Sequence, residues 1–285
     1  MKAAIAGVTG FIGSNIKSGL ESLGWMVIPL LRSEFARDDS SFSELIDGCD
    51  VIINVAGVPV IKRQTAAYRK EIYDSRVGTT RKIVNAIKLA KDPPAQFVCA
   101  SAVGIYSGSE VNTESSFSFG SDFMAQVCND WENTAKSAEE FTGVTIARMG
   151  VVLDPRSGAL KVMLLPFKMG LGAKVGSGNQ MFSWIHSRDL INAYIFVIEG
   201  KKPGIYNFTS PGYLSNADYT KALGKALGKP TFFTVPENAL KMIYGRGADT
   251  IISGQAAYPE RLLQEGFNFQ YPQIENALKD LLLKG

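Results

Sequence analysis

The sequence predicts an α/β protein, a doubly wound parallel sheet with a smaller α/β C-terminal lobe. Three observations carry this. A short apolar run at 2–6 leads into Gly7, Gly10 and Gly13 and then into Ile12, Ile16 and Leu20 at helical spacing, with Gly24 placed to end that helix. Near-continuous apolar runs recur at 50–55, 96–100 and 144–147, the pattern of strands buried on both faces. Between them, 75–90 carries Val77, Thr80, Val84 and Ile87 on one helical face, and Pro93-Pro94 closes it.

The strand, glycine turn and helix at the start form the context of a dinucleotide fingerprint, so the fold is read as Rossmann-type. Each glycine has its own task. Gly7 permits a tight turn, Gly10 lets the backbone approach a pyrophosphate, and Gly13 lets the helix lie close to the sheet. The cofactor-binding candidates here are Gly7, Thr9, Gly10, Phe11, Ile12 and Gly13. The helix N-terminus offers them free N–H groups and a positive dipole. The next strand, at 26–31, runs into Arg32 and Ser33. A guanidinium there grips a 2′-phosphate that a carboxylate would repel, so NADP is the expected cofactor. Glu34 as a ribose acceptor, with Arg32 merely solvated, is the alternative. Ala56 and Gly57 suit close backbone approach to the adenosine side.

Composition narrows the chemistry. With 46% hydrophobic and 20% charged residues the chain is not a disordered one, and 285 residues make about two domains or one large α/β unit. Thirty basic against 27 acidic residues give +3, too weak a balance for a nucleic-acid partner. No run approaches the roughly 18 apolar residues of a membrane span. The best stretch, 51–61, is broken by Asn54, Gly57 and Pro59. A single histidine, His186, rules out a multi-histidine metal site, and Cys49, Cys99 and Cys128 lack C-x-x-C spacing, so no metal is expected. Scattered thiols suit a reducing compartment, and the early glycines read as a first strand rather than a signal core. The expected location is the cytoplasm.

After Leu153 the texture changes. Glycines cluster at Gly170, Gly172, Gly176 and Gly178, and the last seventy or so residues look helical between proline-bounded loops. The expected division is 1–153 as the NADP-binding domain, completed by parts of 180–210. The smaller lobe, 154–180 and 211–285, closes over the cofactor. Asp189 is expected to cap a helix at 190–199. Tyr258, Pro259, Phe267 and Phe269 are expected to dock a helix pair.

Several segments together resemble the extended short-chain dehydrogenase/reductase superfamily: Gly7-x-x-Gly10-x-x-Gly13, Asn54-Val-Ala56-Gly57, Ser101-Ala-Val-Gly-Ile-Tyr106 and Trp184-Ile-His186-x-x-Asp189. Further stretches resemble its epimerase-like branch, often labelled nucleoside-diphosphate-sugar epimerase and in places cell-division inhibitor. They are Asp122-Phe-Met-Ala-Gln-Val-Cys-Asn-Asp-Trp-Glu132, Leu164-Leu-Pro-Phe167, Phe182-Ser-Trp-Ile-His186 and the tail from Pro259 to Phe269, which is similar to a small C-terminal domain of unknown function. The resemblance implies that Ser101 polarises the substrate and that a Tyr-x-x-x-Lys pair on the next helix supplies the acid/base. Here Met124 and Cys128 stand at those two positions, and Arg76 replaces the superfamily's asparagine. A thioether carries no proton, and a thiol has no charge with which to lower a phenol's pKa.

Substitutes are available. Tyr106 ends the Ser101 loop, as a pocket wall or as an acid/base, and Arg76 supplies a cation near the cofactor. Arg148, Trp184 and His186 are the substrate-binding candidates, with structural roles as the alternative for each. A triad of Ser101, His186 and Asp189 is not favoured, and Cys128 reads better as a buried packing residue than as a reactive thiol. The expected function is an NADP-binding, epimerase-like oxidoreductase acting on a nucleotide sugar or a related small alcohol or carbonyl compound. An NADP(H)-binding sensor or regulatory protein is the alternative. A monomer, or a homodimer through the helices at 75–90 and 123–140, is compatible with the pattern.

Overall fold

A computed structural model describes residues 1–108 and 110–283. Strand β1 (Lys2–Ala6) enters the glycine turn, α1 (Phe11–Ser22) follows, and the chain returns through β2 (Met26–Leu30). Next come α2 (Asp39–Ser43), β3 (Val51–Asn54), α3 (Ala66–Tyr73), α4 (Thr79–Leu89), β4 (Gln96–Ala102) and the short β5 (Val111–Asn112). Helix α5 (Phe123–Lys136) leads to β6 (Gly143–Met149) and β7 (Val151–Leu153). The helix expected as one stretch over 75–90 is interrupted. A π turn, Asp74–Gly78, joins α3 to α4, widening the backbone where Arg76 sits.

The remaining elements are α6 (Gly158–Lys168), β8 (Ala173–Val175), β9 (Met181–Phe182), β10 (Trp184–His186), α7 (Ser187–Glu199) and β11 (Gly204–Phe208). After them run β12 (Leu214–Ser215), α8 (Asn216–Leu227), β13 (Phe233–Val235), α9 (Glu237–Tyr244), α10 (Asp249–Ile252), β14 (Ala256–Ala257), α11 (Glu260–Gln264) and α12 (Ile274–Leu283).

The central sheet has the order β11-β6-β4-β3-β1-β2, and every neighbouring pair is parallel. Alternation along a strand sends successive side chains to opposite layers. Ala3 and Ile5 meet Ile16 and Leu20 of α1 and Leu190, Tyr194 and Val197 of α7. Ala4 and Ala6 meet Ile83, Val84 and Ile87 of α4 and Trp131 of α5. Two buried faces explain the uninterrupted apolar runs, and each large side chain so buried contributes about 1.5–3 kcal/mol.

A separate core holds Leu160, Leu164, Trp184, Tyr219 and Leu278 between α6, α8 and α12. One local expectation is corrected. Helix α7 starts at Ser187, and its N-cap is the His186 ring, whose Nδ1 accepts the Arg188 backbone N–H at 3.0 Å. Asp189 lies inside the first turn and instead accepts the backbone N–H groups of Gln270 and Tyr271, both at 2.9 Å. Phe267 and Phe269 pack edge-on to one another, with Phe267 against Phe196 of α7, as part of the main core.

Candidate functional site

The glycine turn beyond β1 has the shape of a phosphate cradle. Gly7 sits at φ +83°, and a Cβ there would meet the Ala56 nitrogen at 2.8 Å. At Gly13 a Cβ would lie 2.2 Å from the Gly7 carbonyl oxygen. Gly10 is exposed and its nearest obstruction is the Gly7 oxygen, so the backbone is bare on its outer side. Thr9 is exposed beside it, Phe11 and Ile12 are half-buried, and the first-turn N–H groups of α1 have no intrahelical acceptor.

Asn54 shapes the facing turn. Its side-chain Oδ1 accepts the Ala56 N–H at 3.1 Å, and its Nδ2 donates to Thr80 Oγ1 at 2.9 Å. The Trp131 indole donates to the same hydroxyl at 2.8 Å. Gly57 leaves room for Arg76, since a Cβ would come 3.0 Å from the guanidinium carbon. Arg76 donates to the carbonyls of Val58 (3.0 Å) and Ile72 (3.3 Å), and burial holds its pKa below the usual guanidinium value.

At the carboxyl end of β2, Arg32 and Ser33 are exposed, and Arg32 has no ion-pair partner among the described residues. The Glu34 carboxylate is held by Arg37. The guanidinium at this strand end is therefore unpaired, and the neighbouring carboxylate is engaged.

Ser101, Tyr106 and Arg148 come together, but not on the cleft. Ser101 Oγ donates to Glu132 Oε1 at 2.7 Å, and Arg148 grips the same carboxylate with two bonds, 2.8 Å from Nε and 2.7 Å from Nη2. Arg148 Nη1 donates to the Tyr106 hydroxyl at 2.9 Å, which donates onward to Asn207 Oδ1 at 2.7 Å. None of these five residues is more than 3% exposed. Burial raises the Tyr106 pKa despite the neighbouring Arg148. Burial also opposes the Arg148 charge, but the Glu132 carboxylate outweighs it and raises the pKa. Such a closed network fixes the ends of β4, β6 and β11 relative to α5 and presents no free hydroxyl.

Met124 and Gly104 do face a cleft, a cavity of about 130 Å³ also lined by Gln64, Arg69, Phe123 and Arg246. Cys128 is buried one helical turn behind Met124, and burial pushes its thiol up to about 12, so it is an inert thiol. Trp184 and His186 lie away from this cleft. The Trp184 indole donates to the Gly212 carbonyl at 2.8 Å, and the His186 ring stacks on Tyr271 at 3.9 Å between centroids. Burial lowers the His186 pKa to about 4.

Glu132, Asn207, Arg69 and Arg246 are missed by sequence reasoning. Glu132 was quotable only as part of a motif, and Asn207 sits in an apolar strand whose single polar residue was a usable signal. Nothing local marks the two arginines, because the chain between them is long and their meeting is tertiary.

Comparison with known proteins matches residues 3–208 to the NAD dependent epimerase/dehydratase family and residues 235–281 to a domain of unknown function, DUF1731. The mouse epimerase family protein SDR39U1 is 33% identical over 293 residues, covering 99% of this chain and 100% of the relative. The Arabidopsis thaliana SDR39U1 homolog, described as chloroplastic, is 34% identical over 301 residues, 99% of this chain and 87% of its own. A crystal structure of human SDR39U1 (isoform 2) with NADPH is similar over 100% of both chains, at 30% identity and a TM-score of 0.92.

Proposed function

The chain belongs to the NAD dependent epimerase/dehydratase family, and from that premise we propose that it binds NADP(H) and acts as an epimerase-like oxidoreductase on a small alcohol or carbonyl compound, nucleotide sugars included. One observation supports this most. The glycine cradle beyond β1, the unpaired Arg32 beyond β2 and the Met124–Gly104 cleft beyond β4 all lie past the carboxyl ends of parallel strands, where open α/β sheets take their ligands. The similarity to a human protein crystallised with NADPH agrees with the choice of cofactor.

NADPH, when bound, would supply a hydride equivalent for reduction of a carbonyl carbon. The residues of this chain hold the pyrophosphate on α1, discriminate the 2′-phosphate through Arg32, and keep a cation, Arg76, beside the cofactor turn at Gly57. Neither Ser101 nor Tyr106 is placed to move the substrate proton, because both hydroxyls are bonded inside the Glu132–Arg148 network.

That same sequestration favours a second reading, an NADP(H)-binding regulatory protein without turnover. The two are separated by following NADPH absorbance with substoichiometric protein and a pool of small carbonyl metabolites. Oxidation of many equivalents establishes the oxidoreductase. Tight binding with no oxidation, and no change of configuration in added nucleotide sugars, moves the assignment to the regulatory protein. The three cysteines are free, in keeping with a cytoplasmic setting, and no helix among the described residues is long and apolar enough to cross a membrane.

A further inference from the structure

Two arginines that neither the glycine pattern nor the family resemblance singles out stand at the cleft in front of Met124. Arg69 projects from α3, its guanidinium carbon 3.8 Å from the centre of the Phe123 ring. Arg246 belongs to the 3-10 turn Gly245–Ala248, within the segment matched to DUF1731. Neither has a carboxylate within ion-pair distance among the described residues. Asp122 and Asp249 also line the cleft. Asp122 is engaged as the N-cap of α5, accepting the Ala125 N–H at 2.8 Å, and Asp249 lies beyond ion-pair reach of both arginines.

The cleft has two chambers. The inner one, about 130 Å³, reaches Met124 and Gly104. The outer one, about 460 Å³, is lined by Gln64, Ala66, Arg69 and Arg246. Both arginines line both chambers. The backbone that carries Arg246 is held against the approach to α3. A Cβ at Gly247 would lie 2.2 Å from the Lys62 carbonyl oxygen, so the turn bearing Arg246 is pressed against the segment that leads into α3. The Gln64 backbone N–H also donates to the Tyr244 carbonyl at 3.4 Å. Asp122 and Asp249 face only the inner chamber, whereas the charged groups lining the outer one are these two arginines alone, so an anion between them on that side meets positive charge.

We propose that Arg69 and Arg246 form an anion site that grips a phosphate group of the substrate while the reacting carbon enters the inner chamber. This rests on the reading of the cleft as a substrate site, and it adds the substrate class and a task for the C-terminal segment. The Phe123 ring under Arg69 holds the guanidinium plane, which suits paired hydrogen bonds to an oxyanion. The anion belongs either to a small phosphorylated carbonyl compound that reaches from the two arginines into the inner chamber, or to a nucleotide diphosphate whose nucleoside occupies the outer chamber.

The test is calorimetric titration of the NADPH-saturated protein with inorganic phosphate, glycolaldehyde phosphate and UDP-glucose. It compares wild type with Arg69→Ala, Arg246→Ala, Arg69→Lys and Arg246→Lys, and NADPH affinity is measured separately for each. At least one of the three anions should bind wild type, and each alanine variant should weaken it about tenfold or more, with NADPH affinity held within about twofold. The lysine variants should retain more affinity than the alanine ones, which separates loss of charge from loss of fold. Unchanged anion affinity in both alanine variants, or no binding of any of the three to NADPH-saturated wild type, overturns the proposal. Failure to bind NADPH is a different result and strikes the cofactor reading instead. Binding of glycolaldehyde phosphate with UDP-glucose rejected supports the site and assigns it to a small phosphorylated carbonyl. Tighter UDP-glucose supports it and assigns the diphosphate.

Discussion

Glu132 is the residue on which the interior of the site turns. It takes three hydrogen bonds, one from Ser101 and two from Arg148, at 3% exposure. A buried ion pair is weak evidence for net stability, but removing one member leaves an uncompensated charge. Glu132→Gln should therefore cost roughly 3–5 kcal/mol in denaturant unfolding. A cost under about 1 kcal/mol would mean that the network is open to water. Restoring the superfamily pair with Met124→Tyr plus Cys128→Lys meets a related obstacle. A lysine at Cys128, itself 1% exposed, places an ammonium near the Arg76 guanidinium. We expect a clear drop in melting temperature and no gain of NADPH oxidation. A stable variant with new reductase activity would show that the cleft lacks only the two side chains. At this scale Ser101, Tyr106 and Arg148 are legible in the sequence as catalytic and substrate-binding candidates, not as the closed network that they form. Which way their polar atoms point is not legible, because that is decided by Glu132 and Asn207, which arrive from other elements.

Elements were the most legible level. Strands buried on both faces must be apolar throughout, and β1, β3, β4 and β6 were read from that alone, while the first helix followed from the spacing of Ile16 and Leu20. Its packing gives a sharp prediction. A Cβ at Gly13 has backbone 2.2 Å away and no flexible side chain to displace, so Gly13→Ala should shift α1 off β1. The expected cost is on the order of 2 kcal/mol or more, with loss of NADPH binding. Normal stability together with normal NADPH affinity would contradict the cradle. The start of α7 was misplaced because an N-capping imidazole is less common than an N-capping carboxylate. His186 then confers an acid sensitivity. Its pKa is lowered from 6.5 to about 4 by burial, which outweighs Asp280. Its contribution is complete above pH 6.5 and is lost as pH falls toward 4, because the unfolded chain takes up a proton that the folded one refuses. The size is on the order of 3 kcal/mol at most. His186→Asn, which keeps a side-chain acceptor for the cap, should flatten the fall in melting temperature between neutral pH and the lower limit. An unchanged slope would assign the acid sensitivity to other groups.

Across the whole molecule the chain leaves the sheet after β6 and re-enters as β11, then closes the cleft with the segment that carries Arg246. The re-entry places β11 beside β6 at the sheet edge. The closure is not legible in the sequence, since the contact of Gly247 with Lys62 joins segments far apart in the chain and leaves no local pattern. This assembly leaves the NADP(H) assignment resting on Arg32, unpaired at the end of β2, with Glu34 engaged by Arg37. The most direct test is a paired titration of NADPH and NADH into wild type and Arg32→Ala. Wild type should prefer NADPH. The variant should lose about 1.5–3 kcal/mol of NADPH binding and leave NADH nearly untouched. Equal affinities for the two cofactors in wild type, or a variant that weakens both alike, would contradict the account.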